Sequence, residues 1–172
     1  MMSIQPSEIV RRADQLISGA NTRNPYHIAD YLGIRILPVA FEKQKGAYKV
    51  ILKNSFIFLG DQLDDVMKTI VLDHEIGHHM LHRNEAVKVA GFKEFNIFDM
   101  RSNRMEYEAN LFAAQLALDD EEFLDYVTKG YDLQEIARAM NSDINLVALK
   151  SDALIAQGYR LRPQEHTNRF LK

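Results

Sequence analysis

The chain has 172 residues, 47% of them hydrophobic, which is enough to bury the core of one domain with a small appendage. A formal net charge of −3 argues against a broad cationic surface for nonspecific binding of nucleic acid or acidic membranes. There is no cysteine, so disulfides and thiolate ligands are excluded, and a metal would have to be bound by His, Asp, Glu or water. No segment approaches the roughly 20 apolar residues of a membrane span, and we expect a cytoplasmic protein.

The first third of the chain is predicted to contain two helices and three strands. Ser7 is expected to cap the first helix and Gly19 to end it, and Gly33 is expected to close the second. Lys53 and Asn54 form a plausible hairpin turn between two runs rich in β-branched and aromatic residues, which predicts a small antiparallel sheet. The predicted helices are residues 7–18 and 25–32, and the predicted strands are residues 34–39, 47–52 and 55–59.

The rest of the chain is predicted to be mainly helical. Asp61 is a natural N-cap for a long helix that reaches about residue 82, and Asp64 and Asp65 suit its first turn. Residues 83–102 show no clear period and are read as an ordered connection, and the tail after Gly158 is read as loosely ordered. The further helices are predicted at residues 103–118, 121–128, 133–140, 144–150 and 152–157.

The most informative motif is His74-Glu75-Ile76-Gly77-His78, which has the H-E-x-x-H spacing. At about 100° per residue, His74 and His78 lie about 40° apart around the helix and one turn apart along it, so both rings can reach one ion. Both also lie on the apolar stripe of the helix, which predicts an ion held between elements. Glu75 is rotated by about 100°, so it is expected to act on a water molecule as general base rather than to bind the metal.

An open catalytic zinc site needs a third protein ligand. The metzincin pattern would require Gly at position 81 and His at position 84, but the chain has Leu81 and Asn84 there, so a carboxylate is the better candidate. We assign this role to Glu106, because small residues share its face of the 103–118 helix and permit close packing. Asn110 lies on the same face and is expected to orient a histidine ring. In contrast, Glu108 lies about 200° away, near Arg104 and Gln115, on what is predicted to be a solvated face.

Other histidines and aromatic residues each have two possible interpretations. His79 points about 140° from His74 and is predicted to be exposed. His82 either lines the cleft, where it could stabilise the oxyanion, or is a buried histidine with satisfied hydrogen bonds. The His74–His78 pair itself has a structural alternative, in which neighbouring side chains satisfy both rings. The run of Phe92, Phe95 and Phe98 is read as core packing, with a specificity pocket as the alternative.

Residues 132–154 have the pattern of two short helices joined by a turn, which is typical of a helix-turn-helix. A DNA-binding regulator is therefore the second class of function to consider. The stretch from residue 131 to 172 carries six Lys or Arg and five Asp or Glu, and the candidate recognition helix contributes only Lys150. This is little charge for phosphate contacts. We therefore expect no direct binding of nucleic acid.

Two stretches of the chain resemble the ImmA/IrrE-type zinc metallopeptidases. These are HEIGHHMLH, residues 74–82, and EYEANLFAAQLAL, residues 106–118, which is similar to that family's E-x-x-A-N-x-F-A-x-x-L-L-M-P. One departure is that Asp119 and Asp120 follow Leu118 where the family has Met-Pro. The resemblance implies a gluzincin-like fold and a cytoplasmic protein, bacterial or from a mobile element, that cleaves a transcriptional repressor.

The chain is thus predicted to be an α+β protein of zincin type, with a metallopeptidase domain at residues 1–128 and a helical, helix-turn-helix-like subdomain and tail at residues 129–172. The predicted activity is zinc-dependent hydrolysis of a peptide bond, in which Glu75 deprotonates the attacking water and later protonates the departing amine. Residues 56–59 are expected to pair with an extended substrate. A helix-turn-helix repressor is the expected partner, and a DNA-binding or protein-binding regulator with a non-catalytic metal site is the alternative.

Overall fold

The protein is described here by a computed structural model of residues 3–88 and 102–161, and the segment that contains Phe92, Phe95 and Phe98 lies outside these residues. The α+β class is confirmed. None of the helices in the described part is long and apolar enough to cross a membrane. In chain order the elements are α1 (Pro6–Ala20), α2 (Pro25–Tyr31), β1 (Arg35–Val39), β2 (Gly46–Ile51), β3 (Asn54–Gly60), α3 (Asp65–Lys88), α4 (Ser102–Ala117), α5 (Asp120–Thr128), α6 (Leu133–Ala139) and α7 (Ile144–Ala156).

The N-terminal helix α1 packs against α4 and differs from the prediction at both ends. Its N-cap is Gln5, followed by Pro6 at a first-turn position where proline suits the helical φ, so Ser7 is not the cap. The helix passes through Gly19 and ends at Ala20, and the C-cap Asn21 takes the left-handed conformation with φ 53°. Helix α2 follows the prediction more closely, since Gly33 closes it with φ 68°.

The sheet is mixed rather than antiparallel, which corrects the prediction. Strands β2 and β3 form the expected hairpin, although its turn is Leu52-Lys53, where both residues have positive φ as a two-residue turn of this type requires. Strand β1 pairs in parallel with β3, and the strand order is β1-β3-β2. Strand β1 therefore joins the sheet beside β3, which runs in the same direction, and not beside β2, its neighbour in the chain.

The central position of β3 has a functional consequence. Its residues are paired with β1 on one side and with β2 on the other. The prediction that residues 56–59 pair with a substrate backbone is therefore wrong, because a strand that is bonded on both sides has no free edge. In the described part of the chain, β2 is the edge strand that packs against α3.

Helix α3 is the longest element and begins after Asp64, whose side chain accepts a hydrogen bond of 2.8 Å from the backbone N–H of Met67. Asp64 therefore caps the helix in place of Asp61. The helix also extends beyond the expected end at residue 82. His82 has non-helical dihedral angles, φ −125° and ψ 15°, and marks a kink in it.

The last three helices each begin with an aspartate whose side chain accepts a backbone N–H, and these caps are Asp119, Asp132 and Asp143. Helix α7 is one continuous element, whereas two separate pieces were predicted. Its buried residues join a core cluster that also includes Ile70 of α3 and Ala113 of α4. The division of the chain at residue 128 stays a prediction.

Candidate metal centre

Three potential ligand side chains converge between α3 and α4. His74 Nε2 lies 3.3 Å from Glu106 Oε2, His78 Nε2 lies 3.3 Å from Glu106 Oε1, and the two Nε2 atoms are 3.1 Å apart. All three residues are buried. Among the described residues, this is the group of His and acidic side chains with the spacing to hold a metal ion.

These separations fit a tetrahedral metal site. Ligands bound at about 2.0–2.1 Å in a tetrahedron are about 3.3 Å from one another. The two Nε2 atoms are 3.1 Å apart, and each lies 3.3 Å from one oxygen of Glu106, so one ion can reach both nitrogens and the carboxylate. Burial acts to raise the pKa of Glu106, but hydrogen bonds and charge attraction from His74 and His78 outweigh this and hold that pKa below its usual value. Glu106 is therefore a carboxylate at neutral pH, and two imidazoles with a carboxylate form a donor set suited to a borderline cation such as zinc.

Gly77 allows the two helices to approach closely enough to form this group. A Cβ atom added at Gly77 would lie 2.9 Å from the carbonyl oxygen of Ala109 and 3.1 Å from its Cα, both of them backbone atoms of α4. Any side chain would thus push α4 away. The glycine within the H-E-x-x-H motif therefore positions Glu106 relative to the two histidines.

Asn110 orients the first histidine. Its Oδ1 lies 2.7 Å from His74 Nδ1, and both side chains are buried. An amide oxygen accepts a hydrogen bond, so His74 donates from Nδ1 to Asn110, which leaves Nε2 as the atom that can bind a metal. The sequence predicted that Asn110 would orient a histidine ring, and the structure places it beside His74.

Glu75 lies on the other side of the group, against β2. A Cβ atom added at Gly46 would meet Glu75 Oε1 at 3.1 Å, and the backbone N–H of Tyr48 donates to the Glu75 carboxylate. Burial raises the pKa of Glu75 to about 7, and the negative charge of Glu106 acts in the same direction, whereas His74 opposes it. A carboxyl group with a pKa near neutrality can both take up and release a proton under physiological conditions.

Glu108 is buried, and the prediction of a solvated position is wrong. Its Oε2 lies 2.9 Å from His82 Nε2, and its Oε1 accepts a hydrogen bond of 3.0 Å from the backbone N–H of Ile4. Gln115, which was assigned to the same solvated face, is also buried. The reason is that α1, α3 and α7 all pack against α4, so this helix has little solvated surface.

His82 is the buried, hydrogen-bonded histidine of the two alternatives. Its Nδ1 lies 3.0 Å from His78 Nδ1, while its Nε2 contacts Glu108. Burial lowers the pKa of His82 to about 4, and attraction to Glu108 only partly offsets this. His82 is therefore neutral at physiological pH. Its two ring nitrogens contact a candidate metal ligand, His78, and the buried carboxylate of Glu108.

His79 is half-buried rather than exposed, because it joins a polar cluster that links α3 to the β2–β3 hairpin. Its Nδ1 lies 3.0 Å from the hydroxyl of Tyr48. That hydroxyl also contacts Ser55 at 3.2 Å and accepts a hydrogen bond from Arg83, which donates to Ser55 and to the carbonyl of Lys53 as well. The cluster fixes β2 next to Glu75. Helical spacing gave no sign of it, since its partners lie on different elements.

The helix-turn-helix-like segment does not present a basic recognition surface. Lys150 is buried in α7, where its Nζ donates to Gln115 at 2.6 Å and to Asp120. Most of α7 is buried with it, against α4. The one basic residue of the candidate recognition helix is thus committed to an internal contact and is not available to DNA phosphates.

The fold and this group of side chains define an α+β protein with a His–His–carboxylate cluster on two packed helices. The family model for the IrrE N-terminal-like domain, peptidase family M78, matches residues 29–150. The chain belongs to this family, and the resemblance to the ImmA/IrrE proteins is confirmed. The family match makes a metal-dependent peptidase the relevant class for the geometry above.

Two relatives are similar over most of their lengths. The chain is 31% identical to uncharacterized immunity region protein 2 of Bacillus phage phi105, over 84% of this chain and 90% of the relative. It is 28% identical to metallopeptidase ImmA of Bacillus subtilis strain 168, over 82% of this chain and 83% of the relative. The similarity therefore extends beyond the two motif helices.

Proposed function

We propose that this chain is a zinc-dependent endopeptidase that cleaves a protein substrate. The observation that carries the proposal is the convergence of His74, His78 and Glu106, with the buried carboxyl group of Glu75 beside them. The three converging residues would hold the zinc ion, and Asn110 would keep His74 in the tautomer that binds a metal. The relative named metallopeptidase ImmA supports this assignment.

The chemistry follows from the protonation properties of Glu75. Zinc in this position would supply a Lewis acid that polarises the scissile carbonyl and makes water more acidic. Glu75 accepts a proton from the attacking water as the new carbon–oxygen bond forms, and it delivers that proton to the amine nitrogen as the carbon–nitrogen bond breaks. Burial raises the pKa of Glu75 in the metal-free chain, so the carboxylate holds a proton more tightly than usual, whereas a bound cation would act to lower that pKa.

Strand β2 is the better candidate for substrate binding now that β3 is excluded. It is paired on one side only within the described residues, and Gly46 and Tyr48 place it in contact with Glu75. An extended peptide could add to this edge by backbone hydrogen bonds and so bring its scissile bond to the candidate metal centre. Glycine at position 46 keeps this approach free of a side chain.

A transcriptional repressor with a helix-turn-helix is the proposed substrate, and the cytoplasm is the proposed location. Support comes from the phage relative, whose name places it in an immunity region, and from the ImmA relative. The buried position of Lys150 argues that this chain acts on a protein rather than on DNA.

The test begins with metal analysis of the purified wild type, for which we expect one zinc per chain. Glu106→Ala should lose the metal, because two histidines alone leave the site without its anionic ligand. Glu121→Ala, on the exposed surface of α5, is the matched control and should keep it. Wild-type protein without bound metal, or equal metal contents in both variants, would contradict the proposed site.

Cleavage is tested by mixing the zinc-loaded protein with a repressor encoded beside it and following repressor length and repressor–DNA binding. Glu75→Gln should retain zinc and lose cleavage, because the amide cannot accept the proton of water. Cleavage by Glu75→Gln at the wild-type rate would refute the general-base role. Tight, specific binding of duplex DNA by this chain, with the repressor left intact, would favour the regulator instead.

A further inference from the structure

The second candidate ligand, His78, is connected to a buried carboxylate on α4 through another histidine. His78 Nδ1 lies 3.0 Å from His82 Nδ1, and His82 Nε2 lies 2.9 Å from Glu108 Oε2. All three side chains are buried. We call these two hydrogen bonds, from Glu108 through His82 to His78, the histidine bridge.

The Glu108 carboxylate determines the direction of each hydrogen bond in the histidine bridge. An ionised carboxylate can only accept, so His82 must donate from Nε2 to Glu108. A neutral imidazole has one proton, which leaves His82 Nδ1 as an acceptor, so within this bridge His78 donates from its own Nδ1. The bridge thus favours the tautomer with the lone pair on Nε2, in competition with Glu106 and His74 Nε2, which lie 3.3 Å and 3.1 Å from that atom and favour a proton on it.

We propose that Glu108 is a positioning residue that sets the tautomer of His78 through His82, so that His78 Nε2 is ready to bind the metal. The inference rests on the proposed function for its metal, but not for the tautomer itself, which is a property of the metal-free chain. Asn110 sets the tautomer of His74 through a single hydrogen bond, whereas Glu108 sets that of His78 through two.

The other oxygen of Glu108 makes an isosteric variant especially informative. Oε1 accepts from the backbone N–H of Ile4 at 3.0 Å and from the hydroxyl of Ser3 at 3.3 Å, and the guanidinium of Arg104 lies 3.5 Å from it. In Glu108→Gln the amide oxygen must face these donors, so the amide NH2 faces His82. His82 then accepts at Nε2 and donates from Nδ1, and His78 is driven into the tautomer with its proton on Nε2.

The direct test is a long-range ¹H–¹⁵N spectrum of the imidazoles in the metal-free protein at mildly alkaline pH, where the rings are neutral. With six histidines in the chain, His78 and His82 are assigned from single variants. The wild type should show His78 protonated on Nδ1, and Glu108→Gln should show it protonated on Nε2. Ser3→Ala is the matched control, because it removes the hydrogen bond that the Ser3 hydroxyl donates to Oε1 of the same carboxylate and leaves the histidine bridge intact.

Zinc titration gives the second readout, with the melting temperature of each metal-free variant as a check on folding. Glu108→Gln should weaken zinc binding by about 10- to 100-fold, and Ser3→Ala should leave it unchanged. His82→Phe removes donor and acceptor together, so His78 should lose its fixed tautomer without being driven into the opposite one. Its zinc affinity should fall less than that of Glu108→Gln, a ranking that general loss of packing would reverse.

Two results would overturn the proposal. One is a wild-type spectrum in which His78 carries its proton on Nε2, which needs no variant to fold. The other is a Glu108→Gln protein with the wild-type tautomer and the wild-type zinc affinity. Failure of the wild type to bind zinc is a separate result that defeats the proposed function, and it is seen before any variant is made.

Discussion

Gly77→Ala tests whether the close approach of α3 and α4 creates the candidate metal centre. The added methyl carbon would lie 2.9 Å from the carbonyl oxygen of Ala109, 3.1 Å from its Cα and 3.3 Å from Cβ of Phe112. The first two are backbone atoms of a helix, so no side-chain rotation can relieve the contact. The helices must separate by a few tenths of an ångström.

Two opposing effects set the change in stability. Alanine is favoured over glycine inside a helix by about 1 kcal/mol. Overpacking a tight helix contact costs about 1–3 kcal/mol. We therefore expect the free energy of unfolding of the metal-free protein to fall by no more than about 2 kcal/mol, which leaves the fold intact.

The effect of Gly77→Ala on metal binding should be larger, relative to its normal value, than the effect on the free energy of unfolding. Metal–ligand bonds tolerate deviations of only about 0.2 Å, and Glu106 is carried by the helix that moves. Gly77→Ala should thus weaken zinc binding by about tenfold or more, an effect similar to that of losing an outer-sphere partner. Calorimetric titration with zinc and urea unfolding of the metal-free protein measure the two effects separately.

Gly19→Ala is the matched control, since it is the same substitution in a helix. Its methyl carbon would meet the hydroxyl of Tyr31 at 3.0 Å, but this is the end of an exposed side chain that can turn away. Gly19→Ala should leave zinc affinity unchanged and stability equal or higher. Wild-type zinc affinity in Gly77→Ala would refute the argument that this contact positions Glu106.

Three further predictions concern stability and affinity. The pKa of Glu75 is raised from 4.5 to about 7, so the free energy of unfolding of the metal-free wild type should fall by about 3 kcal/mol relative to that of Glu75→Gln as the pH rises through this range. Urea unfolding at several pH values measures this, and the same pH dependence in both proteins would contradict the prediction. Asn110→Ala should weaken zinc binding by about 10- to 100-fold in a competition titration, since His74 loses its hydrogen bond. Lys150→Met should lower the free energy of unfolding by about 2 kcal/mol, because Asp120 loses a charged partner, without changing DNA retention in a gel-shift assay.

The parts of the molecule that depend on local periodicity were predictable from the sequence. The i, i+4 spacing placed His74 and His78 on one face of α3, and the small residues of α4 indicated which side of that helix could approach them. Both inferences use only the geometry of a single helix. The structure accordingly brings Glu106 and Asn110 to the two histidines.

The errors come from contacts between elements distant in the sequence. Glu108 was expected to be solvated because it is opposite Glu106 on α4, but Ser3 and Ile4 cover that side. No local pattern reports that the N-terminal segment returns there, about a hundred residues away in the chain. The parallel pairing of β1 with β3 is a similar case, because β2 separates the two strands in the chain and no local pattern indicates which strand β1 will join.

Helix α4 contributes to the candidate centre through three residues at two-residue intervals. Glu106 and Asn110 differ by about 40° around the helix and face α3 together, whereas Glu108 projects from the other side and reaches His78 through the kinked His82. A ligand and the tautomers of both histidines thus all depend on how α4 sits against α3. A shift that the hydrophobic core could absorb would disturb all three at once, so substitutions at the α3–α4 contact should reduce metal affinity well before they unfold the protein.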